Sequence, residues 1–504
     1  MRYRKNEKIN IIKHLSGGMN TADAPSEIKK YEMASCENWE VNEKTLRTAA
    51  GWVNYGSDAQ ELPIFGGFEG RFENGVHVMV RQKGTELQYD NGAGSWITAQ
   101  GGLTQARCSF TMLNNIILWS NGTDTIKSTT DGITWTDQAG LPKAKKIVHN
   151  GKNRILFVNQ PAIPSKISWS NINNPLTVDA SSYQFIGKND GEQVLDTVVT
   201  EKGGIYIFKT SMVYMIGDVS FDMLGVDPIG TMPYIPFTAV TTENSVIATG
   251  YDGIYEIVGG TIRHISKNLK RGTTHCKNSD TPVATYFKNK YRVALPIDHN
   301  YNDVELVLDR QQPTGDPYNP YAITLNKREI GCYITEQNRA GTTMRHRVYV
   351  GGSRVATFAW INIDHDQGVT QGVLGQPQTC TFETKFFQDE APFFIKRFLK
   401  YFINIFSNQD TTIQLCYRFD TEGTYVCKPV EVTMGSFGWK LADGASVDFD
   451  EGFGFKTSGS DERFIDMEKT GVPRGVQFKI KVTTTKDLTI LSSAYKYLIK
   501  NSFH

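Results

Sequence analysis

The 504-residue chain is informative first through what it lacks. It has no apolar run of 18 or more residues. Its basic start, "MRYRKNEKINIIKH", does not lead into an uninterrupted apolar stretch with a small-residue cleavage site. Neither a membrane-spanning helix nor a secretory leader is therefore expected. Charge of one sign is also missing: 54 Lys and Arg against 53 Asp and Glu leave a formal +1, too little to hold a polyanion or an anionic membrane by a global field. The seven cysteines, at 36, 108, 276, 332, 380, 416 and 427, are odd in number, dispersed and without a C-x-x-C pair. Reduced, buried thiols are the expectation, as in a chain made in a reducing cytoplasm. Phosphate-loop, dinucleotide, zinc-protease and serine-hydrolase signatures are all absent, which removes the best sequence support for those chemistries.

What is present is strand. From about residue 70 to 360, short runs rich in Val, Ile, Tyr, Phe and Thr are broken by Asn-Gly, Asp-Gly and Gly-Gly pairs, the signals of hairpins. Clear starts fall at Asn74, Asn114, Asn153, Gly203, Asn244, Lys288 and Arg347, spaced by about 40 to 60 residues, close to the length of a propeller blade. A blade buries its faces only between neighbours, so the ring must close. The predicted fold class is all-β: a β-propeller of six or seven blades over 61–365, with loop insertions near 218–240 and 310–331. A stack of β-sandwiches is the alternative, with short strands but no higher repeat. Residues 375–504 read as a C-terminal β-sandwich. In "KRFLKYFINIF" the alternate residues Leu399, Tyr401, Ile403 and Ile405 form one apolar face, a period of two. Residues 1–60 lack any hydrophobic period and are expected to form an irregular arm.

Candidate chemistry is sparse. "STTDGITW" resembles the Asp-box hairpin of sialidase propellers, with Asp131 directly before Gly132, one position late; even a full Asp box is a structural turn. "IDHD" puts Asp364 and Asp366 on one side of a strand and His365 on the other, so they cannot easily share a metal. "VDFDEG" offers Asp448, Asp450 and Glu451 in an incomplete calcium loop. Asn121 opens a formal glycosylation sequon that reads as a hairpin turn. No catalytic, cofactor or metal site is predicted. The locally basic residues Arg2, Arg4, Lys5, Lys8 and Lys13 read as a solvated terminus, with a phosphate-touching arm as the alternative.

The tract from 17 to 52 carries a resemblance. Gly17, Gly18, Asn20, Asp23, Pro25, Glu37, Asn38, Trp39, Leu46, Arg47 and Gly51 resemble the N-terminal signature of the tail nozzle or tail hub proteins of short-tailed bacteriophages, also described as packaged-DNA stabilisation proteins. The second Arg usual before the last Gly is replaced by Thr48 to Ala50. "SKISWSNINNPLT" with Trp169, Ser170, Asn174 and Pro175, "YIFKTSMVYMIGD" with "DGIYEIVGGTIRHIS", and "KRFLKYFINI" extend the similarity over most of the chain. The resemblance implies a structural virion protein, not an enzyme: a homohexameric ring below the portal and adaptor that seals packaged double-stranded DNA and forms the channel for its ejection. It further implies docking of tail fibres or spikes, no sequence-specific DNA contact, no membrane insertion, and synthesis in the host cytoplasm. Near-neutral charge suits such a conduit, because a wall paired with many phosphates would drag on the duplex. Trp39 and Trp52 are the predicted anchors for lacing by the arm. Met223, Tyr234, Pro313 and Tyr321, in Pro- and aromatic-rich loops, are the predicted partner or lumen contacts. The alternatives are a propeller adsorption protein that binds or cleaves host surface glycans, and a tail-tip or baseplate component of a long-tailed phage.

Overall fold

The structure is a computed structural model that describes residues 7–499 apart from 43, 57–61, 93–94, 202, 217–224, 271, 315, 336–346, 355–357, 362–375, 389–395, 408–409, 420–422, 433–460, 468–474 and 485–486. It is all-β, with no helix among the described residues. The central run folds as successive four-stranded antiparallel meanders at 64–100, 109–137, 146–185, 194–231, 240–264 and 283–327. A further one at 332–361 takes its fourth strand, Trp52–Asn54, from the N-terminal tract. The first strands, Ile64–Arg71, Ser109–Leu113, Lys146–His149, Val194–Val199, Val240–Thr241, Val283–Phe287 and Cys332–Thr335, touch in that order, and the last touches the first. This is a propeller-like arrangement. Separate apolar clusters lie between successive meanders, such as Leu156, Val158, Ile167 and Trp169 against Ile205 and Ile207.

Local sequence explains the meanders. Each expected hairpin start lies at or next to the turn between a first and a second strand. Asn114 and Asn115, and Lys288 and Asn289, take the paired positive φ that two-residue hairpin turns need. The Asp131 turn is structural: its Oδ1 accepts from the amides of Ile133 and Thr134 at 2.8 Å. Gly132 there has φ +77°, and a Cβ on it would strike Val78 of the preceding meander. Asn121 is a buried turn residue whose Oδ1 accepts from Thr123 and Asp124.

Beyond the meanders two further layers face each other. One is the far part of the nine-stranded sheet, in which Met33–Glu37, Gln378–Thr384, Gln477–Thr484, Thr411–Arg418 and Val426–Val432 continue from the 283–327 meander. The other holds Trp39–Asn42, Thr45–Thr48, Leu488–Ile499, Lys396–Ser407 and Asp461–Asp466, with Glu7–Ile12 paired on Leu488–Ile499. Tyr401 of one stacks on Phe478 of the other at 3.8 Å between ring centres, with Tyr495 5.4 Å from Phe478. The alternation expected in Lys396–Ser407 holds for Tyr401, Ile403 and Ile405, all buried. A register shift at Leu399 puts Phe398 into the core in its place.

Three expectations are corrected. The tract read as an irregular arm forms five short strands; Trp39–Asn42 and Thr45–Thr48 make one local hairpin, and the remaining pairings are with strands hundreds of residues away, which leave no local period. The two segments read as loop insertions both hold strand: 218–240 contains Val226–Thr231, which completes its meander, and 310–331 contains Tyr321–Lys327, the fourth strand of the 283–327 meander, with Pro313 at the end of the third strand paired to Tyr321. Cys416 and Cys427, expected as free thiols, are joined as a disulfide, since pairing of adjacent strands sets them directly opposite.

Candidate functional site

The signature residues of the N-terminal tract converge on the seam between the 283–327 meander and the C-terminal layers. Met33–Glu37 lies in that seam, parallel to Tyr321–Lys327 on one side and antiparallel to Gln378–Thr384 on the other. Gly18 has φ +75°, and a Cβ there would stand 2.5 Å from the Ile323 amide nitrogen; only glycine lets the chain approach so closely. The Met19 amide then donates to Ile323 O at 2.8 Å. Asn20 Nδ2 donates to Asp23 at 3.0 Å and to buried Glu32 at 2.9 Å, and Pro25 O accepts from the Phe386 amide.

Asn38 is the pivot. It holds φ 59°, a conformation asparagine tolerates better than most residues. Its Nδ2 donates to Thr379 O at 2.7 Å and its Oδ1 accepts from the Lys327 amide at 2.9 Å, so one side chain bridges both sides of the seam. Trp39 follows, fully buried, with its ring edge-on to Phe382 at 5.7 Å. Leu46 is buried, and the Arg47 Nε donates to Asp487 at 2.8 Å. Trp52 is 3% exposed, in the strand that completes the 332–361 meander.

Between Trp39 and Trp52 lies a buried charge network. Glu40 accepts from Arg292 at 2.7 and 3.0 Å, from Lys290 at 3.1 Å and from Asn326 at 3.2 Å. Arg292 reaches Glu305 at 3.3 Å, and Glu305 also accepts from the Tyr333 hydroxyl at 2.8 Å and pairs with Arg328 at 3.7 Å. Arg328 in turn donates to Ala50 O. Burial alone would raise the Glu40 carboxyl, but Arg292 and Lys290 outweigh it and hold it well below the usual carboxylate range. Burial does prevail at Asp309, whose carboxyl is raised despite Lys290. A buried carboxylate matched in this way fixes the hairpin that carries it and has no acid-base freedom to offer a substrate.

The second convergence is at one end of the axis around which the first strands stand. Arg107, before Ser109–Leu113, donates to Thr281 O and Pro282 O, in front of Val283–Phe287, and lies over the Phe237 ring at 4.3 Å. Lys145 pairs with Asp280 at 3.3 Å, and Lys146 with buried Asp196 at 3.2 Å. Chain segments before four different first strands are thus tied together there.

The predicted contact residues are placed as follows. Trp39 and Trp52 are both buried on strands paired within the chain. Tyr234, expected as a partner contact, is a core residue 1% exposed: its hydroxyl donates to Asp196 at 2.6 Å and its ring stacks on Phe208 at 4.5 Å. Pro313 is exposed, and Tyr321 is half-buried, 5.6 Å from the Arg310 guanidinium. Met223 and the IDHD and VDFDEG stretches lie outside the described residues. Sequence reading missed Glu40, Lys290, Arg292, Glu305 and Arg107. The signal was present in "KYRVAL", where Lys290 and Arg292 share a strand face; such a face reads as solvent unless the covering hairpin is known.

Among the described residues no group of three His, Cys, Asp or Glu is placed to hold a metal ion. A shallow cleft of about 210 Å³ runs beside Tyr183, Lys166, Ser168 and Asp179, with the Lys166 ammonium 4.3 Å from the Tyr183 ring centre.

No protein-family model and no curated protein matches the chain. Among solved structures, it is similar to the extracellular domain of a hybrid two-component system from B. thetaiotaomicron at 11% identity and TM-score 0.40, over 77% of this chain and 46% of that one. It is also similar to a gluconolactonase from Xanthomonas campestris at 8% identity and TM-score 0.33, over 65% and 98%. A third similarity is to a virginiamycin B lyase from Staphylococcus aureus at 10% identity and TM-score 0.28, over 66% and 94%.

Proposed function

We propose that the chain is a structural component of a bacteriophage tail, a nozzle or hub subunit. In this reading the meanders are seven blades of a closed propeller, the C-terminal layers are a sandwich, and copies assemble into a ring, a hexamer, around a channel for double-stranded DNA. The ring docks on portal and adaptor and carries fibres or spikes. The observation that carries the reading is the use made of the signature tract: Gly18, Asn20, Asn38, Trp39 and Arg47 hold the propeller-like part and the C-terminal layers together as one body, as the wall of a conduit under pressure requires. Arg107 and Lys145 tie the segments before Ser109–Leu113 and Lys146–His149 to the segment before Val283–Phe287, on the far side of the ring of first strands, which argues against threading a duplex through a single subunit. The channel of this proposal therefore lies between copies.

Light scattering and negative-stain averaging of the purified protein, alone and with portal–adaptor complexes, test it. A six-fold ring of 56.5-kDa subunits seated on the adaptor is expected. A monomer that never joins the adaptor, or turnover of a host surface polysaccharide, overturns it in favour of an adsorption protein.

A further inference from the structure

The two half-cystines stand in unlike settings. Cys416 and Cys427 are directly opposed on Thr411–Arg418 and Val426–Val432, the last two strands of the nine-stranded sheet. Cys427 is exposed; Cys416 is 1% exposed. Beside Cys416 on the next strand is Lys479, its register partner, and two residues further along its own strand is Arg418. Both cations lie near the Tyr425 ring, at 5.3 and 4.6 Å, and both share Glu383, at 3.1 and 4.0 Å. Two cations against one carboxylate favour a thiolate at the inner sulfur. The other five cysteines are buried free thiols, and burial pushes all of them up, Cys332 to about 11 and Cys380 to about 12, so they stay inert.

We propose that Cys416–Cys427 is a reducible latch on the outermost strand of the sheet. A thiolate of a small dithiol attacks the exposed Cys427 Sγ. The Cys416 Sγ leaves with the bonding pair as a thiolate beside Lys479 and Arg418, and a mixed disulfide forms on Cys427. The dithiol's second thiol then closes its own disulfide and frees Cys427. Two electrons pass from the dithiol to the protein disulfide, and the two protons the dithiol gives up protonate the cysteines. A small-molecule disulfide reverses the exchange. Val426–Val432 is paired on one side only in the described sheet, and Pro429 within it supplies no N–H. Opening the bond removes a covalent tie and leaves the strand on that single ladder. The strand is thus loosely held in a reducing cell and fastened in an oxidising medium.

The folded full-length chain is treated with dithiothreitol without denaturant, quenched, labelled with N-ethylmaleimide and mapped by mass spectrometry. No label at Cys427 before reduction and label at Cys416 and Cys427 after it are expected. Hydrogen exchange over 426–432 should rise about tenfold or more on reduction while 378–384 stays unchanged. Lys479→Gln should slow reduction about three- to tenfold, with Lys479→Arg close to the wild type. Label on Cys427 in the unreduced protein, a bond that resists dithiothreitol until the chain unfolds, or unchanged exchange over 426–432 overturns the latch. An unchanged reduction rate in Lys479→Gln overturns the role of the cations.

Discussion

The meanders and the C-terminal layers are both antiparallel sheet, yet they are held in opposite ways. In the meanders almost every strand pairs with its sequence neighbour, and the turn chemistry that joins them is written between them. In the C-terminal layers, apart from the pairings of Trp39–Asn42 with Thr45–Thr48 and of Thr411–Arg418 with Val426–Val432, the pairing is remote: Glu7 sits opposite Leu498, and Asn10 Nδ2 donates to the Tyr495 hydroxyl at 2.7 Å across 485 residues. Local pairing closes small loops one at a time, whereas remote pairing must first meet the entropy of closing nearly the whole chain. The remote half therefore rests on a few strong, specific contacts, and damage to them should spread further than damage to any one turn.

The largest effect is expected from Glu40→Ala, which leaves Arg292 and Lys290 buried without their shared carboxylate. Breaking a buried ion pair from one side costs about 3–5 kcal/mol. Denaturant unfolding should show the loss, with hydrogen exchange rising first over 39–48 and 488–499 and least over 109–137. Uniform exchange across both regions would erase the distinction. Trp39→Ala should cost a similar amount, about 3–5 kcal/mol, through the cavity left beside Phe382.

Acid offers a graded version of the same test. The Glu40 carboxyl is depressed in the folded chain, so its contribution is present above the unfolded carboxylate pKa and is lost as pH falls through the lower folded value. Asp309, raised by burial, works the other way, since its protonation favours the fold. Asp309, with Lys290 at 4.0 Å and Arg292 both opposing the effect of burial, is only raised, whereas Arg292 and Lys290 hold Glu40 well below its ordinary range, so the Glu40 contribution should dominate. Stability below about pH 4.5 should fall with pH in the wild type and fall less steeply in Glu40→Gln, as read from thermal unfolding at several pH values.

Much of the local half was legible. Asn114, Lys288 and their counterparts sit at first-to-second strand turns, but the first strands themselves, such as "KIVH" and "VT", are too short to stand out, so each repeat was read one strand late. The remote half was legible only as a resemblance. Gly17, Gly18, Asn38 and Arg47 could be matched, yet nothing in their spacing says that Asn38 bridges Thr379 and Lys327. Lys290 and Arg292 look like a wet face until Glu40 covers them, and Tyr234 looked like a loop aromatic until Asp196 took its hydroxyl. Pattern reports what a strand meets next door; it is silent on a partner that arrives from 250 residues away.

Asn38→Ala should fall between the two regimes. It loses both bridging bonds and places alanine at φ 59°, at a cost of about 2 kcal/mol. Asn38→Gly keeps the backbone and loses only the bonds, so the difference between the two variants in denaturant midpoint isolates the backbone share.

The smallest effect belongs to a single local turn. Asp131→Ala removes the acceptor for the Ile133 and Thr134 amides in an exposed loop where water can replace it, and should cost about 1 kcal/mol. Hydrogen exchange should rise only over 127–137 and its contact at Val78, leaving 39–48 and 488–499 as in the wild type. Spread of that loss into the C-terminal layers would mean that the meanders and the seam unfold as one cooperative unit, and the contrast between local and remote pairing would then describe connectivity without describing stability.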